Sequence, residues 1–191
     1  NTYLFRSVLY LAILIGMLFF YFGCTSSDNN NAENRRPNII LIFTDDQGYG
    51  DVAFHDNPDI QTPSLDALAR ASVRLDNFRS QAVCSPSRAT LMTGRHFLKT
   101  GVWGTNGGRQ YMNLDETTIA DILHDAGYHT AMLGKWHLGK VGPYKPQARG
   151  YKETWRLLDN HDHVDPVLDH NGTTLQVKGW TVDYLTDRVI D

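Results

Sequence analysis

The sequence is poor in cysteine, in charge of one sign and in repetition. Its 191 residues include two cysteines, Cys24 and Cys84, so an extensive disulfide framework is excluded. The formal net charge is −3 and no run of like charges occurs, which argues against a nucleic-acid-binding protein. No internal repeat is visible. The hydrophobic fraction of 41% and charged fraction of 20% are those of a globular protein large enough for one domain with a sizeable core.

The first residues predict export rather than folding. Arg6 precedes an apolar stretch from Val8 to Phe22, which is followed by Gly23-Cys24 and a polar tract. Residues 1–24 are therefore interpreted either as a signal peptide, whose Gly23-Cys24 end resembles a bacterial lipobox, or as an uncleaved membrane anchor. Residues 25–35 would form a polar tether. The expected location is a periplasmic or outer-membrane-anchored lipoprotein, or a secreted protein.

Export makes the second cysteine unusual. If Cys24 is lipidated or removed, Cys84 is an unpaired thiol in an oxidising compartment, where a free cysteine needs a reason.

Alternating strand and helix patterns over residues 36–191 predict an α/β fold around a mostly parallel central sheet flanked by helices. Strands are expected where short apolar runs occur, at 38–44, 73–78 and 128–133. Helical spacing and end signals predict helices within 62–72, 87–92, 117–126 and 182–190. Beyond Gly142 the pattern fades into loop.

The segment from Cys84 to Arg88 reads Cys-Ser-Pro-Ser-Arg. Pro86 favours a first helical turn, and the hydroxyl of Ser85 or Ser87 could cap it. Cys84 would then lie at the positive end of a helix with Arg88 on the same face, an arrangement that favours an anionic substrate. A small buried cysteine beside an ordinary capped helix explains the same residues equally well.

Two further segments carry candidate site residues. Asp45 and Asp46 follow a predicted buried strand, and paired carboxylates suit Ca²⁺ or Mg²⁺, although a solvated turn would have the same residues. In Gly-Lys-Trp-His-Leu-Gly, from 134 to 139, an extended backbone would place Lys135 and His137 on one face and Trp136 on the other. A cation beside an imidazole can neutralise an anion and move a proton, but such pairs are often simply solvated.

Together these segments resemble the formylglycine-dependent sulfatases. The resemblance rests on Cys84-Ser-Pro-Ser-Arg88 followed by Leu-Met-Thr-Gly-Arg95, on Asp45 to Asp51, and on Gly134 to Gly139. It implies an alkaline-phosphatase-like fold, of which residues 36–191 form the N-terminal, incomplete part, truncated at the C-terminus. It also implies oxidation of Cys84 to formylglycine by a maturation enzyme. Asp45, Asp46 and the modified Cys84 are then metal ligands, Lys135 and His137 bind sulfate, and Arg88 stabilises the nucleophile.

The implied reaction is hydrolysis of a sulfate ester. One hydroxyl of the hydrated formylglycine attacks sulfur, and His137 then takes a proton from the other so that sulfate leaves. A sulfated carbohydrate is favoured over an aryl sulfate as substrate. A metal-dependent phosphohydrolase and a non-catalytic sugar-binding protein remain as alternatives. Because the family draws further ligands from later positions, residues 1–191 alone are expected to be inactive.

A histidine- and aspartate-rich segment near position 165 raises the question of a second metal site, which we regard as the weaker interpretation. Its members are His161, His163, His170, Asp159, Asp162, Asp165 and Asp169.

Overall fold

The computed structural model describes residues 36–158 and 163–190. The predicted signal or anchor at 1–24 and the tether at 25–35 lie outside this range, so both stay predictions. Across the described ranges, every helix is too short or too polar to cross a membrane. Within the described residues, 36–43 and those from Thr44 onward belong to two separate units.

Four α-helices occur in the described residues: α1 (Pro63–Ala71), α2 (Cys84–Thr93), α3 (Ile119–Asp125) and α4 (Thr181–Ile190). Short 3-10 turns occupy Ala53–His55, Phe97–Thr100, Gly142–Tyr144 and Pro146–Ala148. All four predicted helices are therefore present, although α2 begins three residues before the predicted start.

Four strands form one mixed sheet in the order β1-β2-β3-β4. They are β1 (Ala131–Gly134), β2 (Glu153–Leu157), β3 (Val167–His170) and β4 (Thr173–Gln176). β1 pairs with β2 in parallel, with Leu133 opposite Trp155. β2–β3 and β3–β4 are antiparallel. The first strand lies directly before Lys135 and so delivers the lysine and histidine motif to one end of the sheet.

Two predicted strands are absent from the described residues. Residues 38–44 and 73–78 carry no strand assignment, and their apolar side chains are exposed, with Ile40 at 74% and Val73 at 90%. A strand requires a hydrogen-bonded neighbour, and residues 73–78 pair with no strand of the described sheet. The prediction of loop beyond Gly142 was also wrong, since β2, β3 and β4 all lie there.

The apolar core lies between α2 and the segment that follows β1. Its buried members are Ala89, Val102, Met112, Trp136 and Leu138, and Met92, Met132 and Tyr151 pack against it. The Trp136 indole N–H donates to the carbonyl oxygen of Tyr144 at 2.8 Å, so its polar atom is satisfied within the core. This packing anchors the residues on both sides of Trp136.

A capping box begins α3. The Thr118 hydroxyl accepts from the Asp121 N–H at 3.1 Å, and the Asp121 carboxylate accepts from the Thr118 N–H at 2.8 Å. Gly150 packs directly against this helix start with a φ of 87°. A Cβ at Gly150 would collide with the backbone of Asp121, so only glycine allows this contact.

Candidate active site

Three stretches of chain converge on one site. They are the turn at Asp45, the first turn of α2 and the segment after β1, and they are far apart in sequence but joined by side-chain hydrogen bonds. The site therefore contains five of the six predicted site residues in two contacting groups: Cys84 with His137, and Asp45 with Arg88 and Lys135.

Cys84 is the first residue of α2 and faces His137. Its Sγ lies 3.2 Å from Nδ1 of His137, and the other ring nitrogen, Nε2, lies 2.8 Å from the carbonyl oxygen of Thr105. A carbonyl can only accept, so Nε2 carries the proton. In the neutral ring Nδ1 is then the free base, and it points at the sulfur of Cys84.

His137 holds this position with an unusual backbone. Its φ is 60°, in the left-handed region that residues other than glycine seldom adopt. Trp136, the preceding residue, is buried in the core, while Lys135 and His137 both reach the site. As expected, Lys135 and His137 face the site while Trp136 faces the core. This arrangement results from the turn at His137 and not from an extended strand.

The Asp45 carboxylate pairs with two positively charged side chains. Lys135 Nζ donates to Oδ2 at 2.6 Å, and Arg88 donates through a terminal nitrogen to Oδ1 at 3.2 Å. Burial raises the pKa of Asp45, but the hydrogen bonds and charges of Lys135 and Arg88 outweigh it and hold the pKa below its usual value. Asp45 is thus a carboxylate at neutral pH.

Arg88 connects all three stretches. Its other terminal nitrogen donates to the backbone carbonyl of Lys135, so one planar guanidinium spans the Asp45 carboxylate and the segment after β1. Arg88 lies one helical turn after Cys84, which brings both side chains to the same face of α2. The four-residue spacing therefore brings Cys84 and Arg88 to one face of the helix, as predicted.

The start of α2 differs in detail from the prediction. Val83 is the N-cap residue and provides no side-chain cap, while Ser85 and Ser87 are both buried inside the first turn. The Ser87 hydroxyl instead accepts from the Gln81 N–H at 3.0 Å and donates to the Val83 carbonyl at 3.0 Å. It therefore fixes the turn that precedes the helix. Gly94 ends the helix with a φ of 67°, as predicted.

Asp45 and Asp46 are the candidate ligands for a divalent cation, and their chemistry can be compared with what such an ion requires. Asp46 is exposed beside Asp45 with a φ of 55°, so two carboxylates of the kind that Ca²⁺ and Mg²⁺ prefer lie next to each other. No cluster of three or more histidine, cysteine, aspartate or glutamate side chains within 36–158 and 163–190 is arranged to hold a metal. The donors therefore fit the ion in chemical type but form an incomplete site.

The pKa of His137 is lowered, chiefly by burial and then by the neighbouring Lys135 and Arg88, while the Thr105 hydrogen bond and Asp45 oppose the shift. Between the lowered pKa and the ordinary value near 6.5, the unfolded state binds the proton more readily than the folded state. Stability is thus complete above about pH 6.5 and falls as the pH falls below it. When the pH is lowered from 6.5 to 5, we expect the free energy of unfolding to fall less in His137→Asn than in the wild type.

Urea unfolding at half-unit pH steps measures this difference. His96→Asn serves as the matched control, because His96 is exposed. Parallel pH profiles for wild type and His137→Asn would show that burial of the neutral ring does not contribute.

The histidine- and aspartate-rich segment has a structural role in its described part. Asp169 forms a buried pair with Arg156 on the adjacent strand at 2.8 Å, and Lys145 approaches the same oxygen at 3.4 Å. Asp165 pairs with Lys178 at 3.0 Å, and His170 stacks on Trp155 with ring centroids 3.6 Å apart. Positions 159–162 lie outside the described residues.

One contributor to the site had no sequence signal. Thr105 acts through its backbone carbonyl, which every residue type possesses, so no motif could identify it. The nearby glycines at 104, 107 and 108 indicate a tight loop, but they do not indicate that it contacts His137.

Comparison with known proteins identifies relatives along nearly the whole described region. The sulfatase family model matches residues 37–189. An uncharacterized sulfatase of Schizosaccharomyces pombe is 38% identical over 162 residues, covering 75% of this chain and 29% of that protein. Human arylsulfatase A is 41% identical over 138 residues, covering 67% of this chain and 26% of its own length. The chain thus spans less than a third of these curated relatives.

Solved structures agree with the sequence comparison. The crystal structure of Ps i-CgsB matches with a TM-score of 0.75 and 31% identity, covering 82% of this chain and 41% of that one. The structure of BT4656 in complex with its substrate, D-glucosamine-2-N,6-O-disulfate, matches with a TM-score of 0.73 and 33% identity over 82% of this chain and 31% of that one. These likenesses confirm the predicted alkaline-phosphatase-like α/β fold. The chain belongs to the sulfatase family.

Proposed function

We propose that the protein carrying this chain hydrolyses sulfate esters, using a formylglycine formed from Cys84 and a bound divalent cation. The observation that supports this most directly is the contact of Cys84 Sγ with His137 Nδ1 at 3.2 Å, beside a carboxylate bridged by Arg88 and Lys135. A nucleophile, a base and two cations are therefore gathered at one helix N-terminus.

Charge balance favours an anionic substrate. Among the site residues, the formal charges of Asp45 and Asp46 are offset by those of Arg88 and Lys135, so the four together are neutral. A divalent cation held by the two carboxylates would make the site positive. The N-terminus of α2 adds its partial positive charge at Cys84. A sulfate group is attracted by both features.

The cation and the formylglycine would have separate tasks. Asp45 and Asp46, with the modified side chain at position 84, would hold the cation, Ca²⁺ or Mg²⁺, which supplies Lewis acidity. The hydrated aldehyde of formylglycine supplies one hydroxyl for attack and a second for release of sulfate, which a plain cysteine cannot do.

His137 is placed to move the proton that release requires. Its Nδ1 is the unprotonated nitrogen and faces the side chain at position 84, while Nε2 stays bound to the Thr105 carbonyl. Its lowered pKa keeps the ring neutral, and so able to accept a proton, at neutral pH. Lys135 remains next to Asp45, where its charge can neutralise a transferred sulfate.

Sulfated carbohydrates are the proposed substrate class. Two structural neighbours have sulfated sugars in their complexes: BT4656 binds D-glucosamine-2-N,6-O-disulfate, and Ps i-CgsB was solved with k-i-k-neocarrahexaose. Export, attachment to a membrane through residues 1–24 and a maturation enzyme that reads the Cys84 segment complete the proposal. The predicted tether at 25–35 would link that attachment to the folded region.

Mass spectrometry of the mature protein tests the nucleophile. The gene is expressed in its native host, or together with a formylglycine-generating enzyme, and the tryptic peptide from Ser80 to Arg88 is analysed. We expect residue 84 to appear as formylglycine. A plain thiol in an exported, folded protein would refute the assignment, and faster hydrolysis of phosphate than of sulfate esters would refute the reaction.

A further inference from the structure

We propose that Trp103 and Arg109 form a subsite for the sugar portion of a sulfated saccharide, beside the candidate active site. This inference rests on the proposed function and extends it to substrate recognition. Both residues belong to the loop from Val102 to Gln110, whose ends are buried and whose tip is exposed. We refer to it as the tryptophan loop.

The tryptophan loop touches the catalytic machinery directly. Its Thr105 carbonyl accepts the Nε2 proton of His137 at 2.8 Å. Trp103 lies two residues from Thr105, which limits the separation of their Cα atoms to about 7 Å. A sugar whose sulfate group is at Cys84 and His137 would therefore have its ring within reach of this loop.

Trp103 is an exposed aromatic residue held in a defined position. It is 59% exposed, although its loop is closed by hydrogen bonds from the Trp103 and Gly104 N–H groups to the Arg109 carbonyl, at 3.0 and 3.3 Å. Covering the exposed indole surface removes apolar area from water, which favours binding of a ligand that packs against it. Flat indole faces suit the C–H faces of a pyranose ring.

Arg109 provides the matching charge. Its guanidinium carbon lies 5.2 Å from the centre of the Trp103 ring, a cation–π contact. Asn106 fixes it twice, through Oδ1 at 2.6 Å and through the carbonyl oxygen at 3.1 Å. These bonds use two of the five N–H donors of arginine, and the exposed head can offer others to a sulfate or carboxylate.

The loop is shaped so that the two side chains meet. A Cβ at Gly104 would lie 3.1 Å from Cβ and 3.2 Å from Cδ of Arg109, so the absence of a side chain at 104 lets the arginine stem lie flat across the loop. Gly107 and Gly108 have φ values of 61° and 86°, which form the reversal between Asn106 and Arg109. Trp103 and Arg109 are thus arranged together before any ligand binds.

The test measures binding separately from turnover. All variants are made in a Cys84→Ala background of the whole gene product, and calorimetry is run with sulfated oligosaccharides from carrageenan, heparan and chondroitin, each beside its desulfated counterpart. We expect Trp103→Ala and Arg109→Ala each to raise the Kd of the tightest sulfated ligand about tenfold. Trp103→Phe should retain binding within about threefold because it keeps an aromatic face.

Trp180→Ala is the matched control, since Trp180 has the same 59% exposure as Trp103. Equal Kd values for Trp103→Ala and the parent, an equal loss in Trp180→Ala, or failure of the parent to bind any member of the panel would each overturn the subsite. Failure of the proposed function looks different: the wild-type protein would not hydrolyse sulfate esters, yet the Trp103 and Arg109 variants would still weaken binding.

Discussion

Cys84→Ala is expected to lower sulfate-ester hydrolysis by about four orders of magnitude or more, because it removes the thiol whose oxidation would convert the side chain into formylglycine. The substitution is mild structurally. Alanine is a good helix former, and Cys84 is only partly buried at the first position of α2. Activity on a chromogenic aryl sulfate and on a sulfated sugar gives the measurement, and circular dichroism confirms that the fold is kept.

Cys24→Ala is the matched control, since Cys24 is the other cysteine of the sequence. We expect its kcat to equal that of the wild type, while its association with membranes is lost if residues 21–24 act as a lipobox. Residual activity within a hundredfold of wild type in Cys84→Ala would show that another group is the nucleophile.

Arg88→Ala is expected to lower kcat about 10²- to 10³-fold, comparable to loss of a preorganised donor in a transition-state site. The guanidinium bonds to the Lys135 carbonyl and to Asp45 Oδ1, so its loss frees the segment after β1 and leaves Asp45 with one cation. Arg88→Lys keeps the charge but cannot span both acceptors, and we expect it to remain at least tenfold below wild type.

Steady-state kinetics on the mature protein tests the arginine, with formylglycine content measured for every variant so that loss of maturation is not mistaken for loss of catalysis. Arg70→Ala, at the exposed end of α1, is the control and should retain full activity. Wild-type kcat in Arg88→Lys would show that charge alone is sufficient and that the fork geometry is unimportant.

The candidate site was largely predictable because its residues lie in short motifs. Within each motif, the spacing of the residues determines which side chains face the same way. Cys84 and Arg88 are one helical turn apart, and Lys135 and His137 lie on either side of a buried tryptophan. The sequence could identify Asp45 as a candidate site residue because carboxylates suit a metal ion. It could not identify Arg88 and Lys135 as its hydrogen-bond partners, since these contacts form only in the folded chain.

The sheet was less predictable for a physical reason. In β2 the buried positions are Thr154 and Arg156, and the larger apolar side chains Trp155 and Leu157 are only partly buried. Burial of Arg156 depends on its pairing with Asp169 of β3, a residue 13 positions further along the chain. The apolar residues alone therefore do not identify the face of β2 that is buried.

At 38–44 a strand was predicted and none is observed. This apolar run has the amino-acid composition of a buried strand. The amino-acid composition of a segment shows that it is suited to a strand. A strand forms only when a neighbouring segment provides backbone hydrogen bonds. Residues 38–44 form no strand in the described structure.

The atom that fixes the proton on His137 belongs to the backbone of residue 105 and not to its side chain. Side-chain replacements along the tryptophan loop could therefore alter which sugars are accepted without changing which nitrogen of the histidine acts as base. In the proposed mechanism, sugar recognition and proton transfer would share one loop but depend on different atoms of it. Such a loop can diversify in sequence while the chemistry beside it stays constant, provided that its backbone path is preserved.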